Sequence, residues 1–63
     1  MKRHFVTRQY ENGVQFTMLL NPEIDSPIEH FIECVRNKQY GYIKVETEEL
    51  KDGNWKTIDI ITI

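Results

Sequence analysis

Sixty-three residues, 40% hydrophobic and 29% charged, describe one small folded domain and exclude both a disordered chain and a cleft between two domains. A net charge of −2 argues against a dedicated nucleic-acid binder, although Lys2, Arg3 and Arg8 stand without a carboxylate in residues 1–10 while residues 11–33 hold five carboxylates and no Lys or Arg. A single cysteine excludes an internal disulfide and a Cys-based zinc cage, and no apolar run resembles a signal peptide or nears the roughly 18 residues of a membrane span, so a cytoplasmic protein is expected.

The chain begins with two alternating segments, 3–11 and 14–20, joined by Asn12-Gly13. Asn-Gly tolerates positive φ at both central positions of a two-residue type I′ turn, so a first hairpin is predicted there. A two-residue loop sets Val6 opposite Leu19, Arg8 opposite Thr17 and Tyr10 opposite Gln15. Phe5, Thr7, Val14, Phe16, Met18 and Leu20 then form the core face. His4, Val6, Arg8, Tyr10, Gln15, Thr17 and Leu19 form the other, which is polar and slightly basic.

After a loop held by Pro22, Ser26-Pro27-Ile28-Glu29 carries the signature of a helix start. Serine is a favoured N-cap, proline fits the first helical position, and a glutamate three residues after the cap can reach back to it. Ile28, Phe31, Ile32 and Val35 recur at helical spacing and are expected to lie on the sheet, leaving Glu29, Glu33, Arg36 and Asn37 in water. The helix is expected to end near Lys38, before Gly41 and the β-prone Tyr40 and Tyr42.

A second hairpin is predicted from 41–50 and 55–63 around Asp52-Gly53, with Leu50 opposite Trp55 and Glu49 opposite Lys56. Ile43, Val45 and Thr47 then share the core face with Ile58 and Ile60. The outer face carries Tyr42, Lys44, Glu46, Glu48, Leu50, Trp55, Thr57, Asp59, Ile61 and Ile63. A bulge in this hairpin would exchange Glu48 with Glu49 and move its acidic patch. The fold class is α+β in the order ββαββ: two antiparallel hairpins in a four-stranded sheet, with one helix packed on one face. The 21–40 connection is long enough for a parallel crossover, but strand order stays open.

One helix covers one face of a sheet, so Tyr42, Leu50, Trp55, Ile61 and Ile63 are expected to be left uncovered. Such apolar surface usually marks an interface. Together with the marginal size of the core, it predicts a homodimer that packs these outer faces, or the C-terminal strand, against a mate. Glu46 and Asp59 are expected opposite each other on that face. A desolvated carboxylate pair can do acid–base work, but this sheet is open and Lys44 is adjacent, so the pair reads as an exposed acidic, aromatic surface for a protein partner. The alternative surface is the first-hairpin face, where His4, Arg8, Tyr10, Gln15 and Thr17 combine cations with an aromatic suited to nucleic acid.

Catalysis finds no support in the residues. His30, Glu33 and Cys34 share one helical turn at a metal-compatible spacing, but only two of them are soft ligands, so no metal site is assigned. A Cys–His nucleophile lacks a third, orienting group, and Ser26, the only serine, is accounted for by capping. No cofactor, no catalytic residue and no membrane contact are expected. A small non-enzymatic interaction or regulatory module is the expected function.

Overall fold

The computed structural model describes all 63 residues. Four strands, β1 (Lys2–Gln9), β2 (Gln15–Leu19), β3 (Tyr42–Lys51) and β4 (Asn54–Thr62), form one antiparallel sheet, and the helix α1 (Ile28–Arg36) packs on one side of it. The strand order is β2-β1-β3-β4, so the chain crosses over β1 between β2 and β3. β2 and β3 therefore run parallel to each other with the antiparallel β1 between them.

The core is small. Val6 of β1 and Val45 of β3 meet Phe31 and Val35 of α1, with Leu20, Ile28, Ile32, Tyr42 and Ile61 packed around them. Only six of the 63 residues are buried, the other two being Thr7 and Cys34.

The two Gly-containing turns, alike in sequence, close differently. At Asp52-Gly53 both residues have positive φ (51° and 78°) and the strands pair through Lys51–Asn54 and Leu50–Trp55, which is the expected two-residue turn. At Asn12-Gly13 only Gly13 has positive φ, at 85°. The loop there has three residues, Glu11-Asn12-Gly13, closed by Tyr10 N donating to Val14 O and Gly13 N donating to Tyr10 O, both at 2.9 Å. Asn12 Oδ1 accepts from Val14 N at 3.0 Å and holds the turn. One extra loop residue shifts the register by one, pairing Val6 with Met18, Thr7 with Thr17 and Arg8 with Phe16. Because side chains alternate along a strand, Val6 faces the helix, and Phe5 and Thr7 face away from it.

Two further irregularities re-aim side chains. Between β1 and β3 the register shifts at Thr7/Arg8, which pairs Tyr42 with Arg8 and lets Tyr42 pack on the core. Between β3 and β4 it shifts at Thr47/Glu48, so Val45 meets Ile61 and Glu46 meets Ile60. Glu46 and Asp59 are thus not opposite each other; Asp59 pairs with Thr47. The bulge lies on β4, so Glu48 and Glu49 keep their expected sides, and it is Asp59 and Ile61 that change theirs.

The helix starts one residue later than the capping signature implies. Pro27 is the N-cap, with no side-chain capping hydrogen bond, and His30 N donates to Pro27 O at 3.0 Å. The cap assigned to Ser26 is therefore not formed. At the other end, Gln39 N donates to Cys34 O (2.8 Å) and Lys38 N to Val35 O (3.2 Å), with Lys38 left-handed at φ 54°. This is the six-to-one, five-to-two closure of a Schellman motif, whose left-handed position favours glycine. Lys38→Gly is accordingly expected to raise stability by about 0.5–1 kcal/mol, read as a higher urea midpoint at an unchanged slope.

Candidate functional site

Two surfaces gather side chains capable of binding. The first is the sheet face that α1 leaves uncovered. Across it run Arg3, Phe5 and Thr7 of β1, Thr17 and Leu19 of β2, Lys44, Glu46, Glu48 and Leu50 of β3, and Trp55, Thr57 and Ile60 of β4, as the registers dictate. Arg3 organises one end. Its Nε donates to Glu48 Oε1 at 2.6 Å, and its guanidinium lies 4.0 Å from the centre of the Trp55 ring and 5.2 Å from that of Phe5. Charge-assisted hydrogen bonding and stacking on two rings hold this half-buried arginine in place. In the middle, the Thr7 and Thr17 hydroxyls are 2.8 Å apart, and Lys44 lies 3.9 Å from Glu46. Leu19, Leu50 and Ile60 stay exposed, Ile60 at 52%. A depression of about 220 Å³ lies on this face among Arg3, Phe5, Thr17, Lys44, Glu46 and Glu48.

The second surface lies at the end of β1 nearest the Lys38–Gly41 turn. All three tyrosines of the chain surround Arg8. Arg8 Nε donates to Tyr40 O at 2.7 Å, and its guanidinium stands 5.1 Å from the Tyr10 ring and 5.4 Å from the Tyr42 ring. No carboxylate forms an ion pair with it. Tyr40 is left-handed, at φ 57°, and 67% exposed. That is an unfavourable conformation for a bulky side chain. A broad, shallow depression of about 680 Å³ opens between Arg8, Tyr10, Asn12 and Tyr40.

Measured against these surfaces, the expected interface divides. Leu50, Trp55 and Glu46 lie on the uncovered face, as their register predicts. Tyr42 and Ile61 do not: both pack against the helix-side core. The Tyr42 ring meets Phe31 edge-on at 5.3 Å. Asp59 follows Ile61 to the helix side, and Ile63 lies at the sheet's end, its N–H donating to Ile43 O at 3.3 Å. The expected first-hairpin face divides as well. His4, Arg8 and Tyr10 are on the helix side, where His4 Nδ1 and Thr47 Oγ1 share a 2.8 Å hydrogen bond; Gln15 and Thr17 are on the other. The register shift at Glu11–Gly13 is the cause.

Pattern places Phe5 and Ile60 on the core face and Leu19 on the outer side of the first hairpin, where it is found, and Arg3 carries only its charge as a signal. Tyr40 carries none, since its proximity to Arg8 follows from the turn at Lys38–Gly41. On the helix, Cys34 Sγ is buried 3.7 Å from His30 Nε2, and no group of three or more His, Cys, Asp or Glu side chains comes together. No helix is long and apolar enough to cross a membrane. No protein-family model, curated protein or solved structure matches this chain.

Proposed function

We propose that the protein is a small non-enzymatic interaction module that binds a protein partner through its uncovered sheet face. The observation that carries this reading is a sheet with one face closed by a nine-residue helix and the other presenting Leu19, Leu50, Trp55 and Ile60 around the fixed Arg3–Glu48 pair. Apolar side chains interspersed with charges of both signs are what a reversible protein interface requires, with a tryptophan–arginine cluster as its natural anchor. The chain's one thiol is shut beneath the helix and its one serine lies in the loop before it, which favours binding over chemistry. Tyr42 and Ile61 belong to the core and drop out of the expected interface.

Ile60→Asp tests it. The substitution is on the exposed rim and is expected to leave the far-ultraviolet circular dichroism spectrum unchanged, while cutting recovery of a cross-linked protein partner by about tenfold. Equal recovery with wild type and variant would remove the uncovered face as the binding surface.

Nucleic acid is the second reading, favoured by the Arg8 cluster. A guanidinium with no carboxylate partner, set between tyrosines, suits phosphate contact with base stacking. Tyr10→Ala is then expected to weaken binding of a single-stranded oligonucleotide by about 1–3 kcal/mol at low salt, followed by fluorescence anisotropy. A wild-type protein that binds no oligonucleotide at low salt would eliminate this reading.

A further inference from the structure

The two edges of the sheet differ. β4 carries Lys56 and Asp59 and is bent by the bulge between its pairs with Thr47 and Glu48. Charge and a bulge are the usual means by which an edge is kept from accepting another strand. β2, the other edge, has neither. Its five residues, Gln15-Phe16-Thr17-Met18-Leu19, are all exposed, contain no charge and no proline, and pair regularly with β1.

The pattern of backbone bonds shows which groups point outward. Tyr10 N donates to Val14 O and Leu20 N to His4 O, both at 2.9 Å. Bonded and non-bonded pairs alternate in an antiparallel ladder, so Phe16 and Met18 direct their backbone groups to β1. Gln15, Thr17 and Leu19 direct theirs away from the sheet. These outward residues are spaced evenly about Thr17, which makes the edge self-complementary.

We propose that β2 pairs antiparallel with β2 of a second copy about a two-fold axis at Thr17. Thr17 then pairs with the partner's Thr17, and Gln15 with the partner's Leu19, so every outward N–H and C=O of these three residues is bonded. The intervening pair, Phe16 with the partner's Met18, is the closely spaced type, in which side chains touch most. These two residues are 61% and 41% exposed in the single chain, and ring–thioether contact covers both. An uncharged strand meets its own copy without repulsion, whereas it offers a charged peptide nothing to recognise. Both helices lie on the same side of the resulting eight-stranded sheet, and the two uncovered faces become continuous. The guarded β4 edges stop assembly at two.

Light-scattering molar mass from micromolar to millimolar concentration, paired with amide hydrogen exchange over the same range, tests this. The mass is expected to rise to twice that of the chain as exchange at Gln15, Thr17 and Leu19 slows by about tenfold or more. Phe16→Lys is expected to weaken the dimer by at least about tenfold, and Ile60→Asp, on the other face with two strands between, to dimerise like wild type. A single-chain mass at every concentration would overturn the proposal. So would a dimer in which those three amides still exchange fast, a Phe16→Lys variant that dimerises normally, or slowing that requires a separate extended peptide. Because the amides are read in the wild-type chain, the result stands even if Phe16→Lys fails to fold.

Discussion

Gly41→Ala is expected to destabilise the protein by about 3 kcal/mol or more. A Cβ at this position would stand 2.4 Å from the Gln9 carbonyl oxygen, a backbone atom, with the residue at φ +79°. Neither side can withdraw. Gln9 N donates to Gly41 O at 2.8 Å, and Arg8 Nε grips the preceding carbonyl, that of Tyr40, at 2.7 Å. The turn already contains two other left-handed residues, Lys38 and Tyr40, so it has little freedom left to relax. A domain of this length has a total stability of roughly 3–9 kcal/mol. Urea unfolding followed by circular dichroism should find the midpoint lowered by about a third or more. Gly13→Ala is the control: nothing lies within 4 Å of its Cβ, so only the positive φ is penalised, at about 1–2 kcal/mol. Equal losses at the two glycines would mean that the close approach of the turn to β1 is wrong.

Val6→Asp is the second large effect, expected to exceed about 4 kcal/mol. Val6 is 1% exposed, between Met18 and Val45 on the neighbouring strands and against Phe31 and Val35 of the helix. A carboxylate there loses its water. The side chains two residues away on the same face offer it no ready partner, since His4 hydrogen-bonds Thr47 and Arg8 Nε donates to the Tyr40 carbonyl. Val14→Asp, at a position 45% exposed, is expected to change stability by no more than about 0.5 kcal/mol. The contrast is informative because a two-residue loop at Asn12-Gly13 would reverse the side of Val6 and leave it outside the core, whereas Val14 stays on the helix side in either register.

That reversal marks the boundary of what is legible in the chain. Element order, the helix and its core-facing Ile28, Phe31, Ile32 and Val35, and the register of the second turn all follow from local pattern. Periodicity and a left-handed dipeptide suffice for them. The register of the first hairpin does not follow, because Asn-Gly serves both a two-residue turn and the last two positions of a three-residue loop. Choosing between them exchanges the two faces of β1, while β2 keeps Val14, Phe16, Met18 and Leu20 on the helix side. The bulges beside Arg8 and Glu48 carry no compositional signal. They reflect how strands distant in sequence fit over one helix, and they alone account for Tyr42 and Ile61 moving into the core and Ile60 moving out. The cap shows the same effect on a smaller scale, since serine, proline and glutamate at the favoured spacing still leave Pro27 as the N-cap. The uncovered apolar face is thus visible in composition, while its membership is a product of register.

The membership of the uncovered binding face follows from the side to which β1 turns Val6. A nuclear Overhauser spectrum of the wild-type protein reads this directly. Cross-peaks from the Val6 methyl groups to the Phe31 ring and the Val35 methyls are predicted, with the Phe5 ring showing contacts to the Arg3 side chain and none to the helix. Cross-peaks from the Phe5 ring to Phe31 and Val35, with the Val6 methyls silent toward the helix, would contradict the register and the binding face built on it.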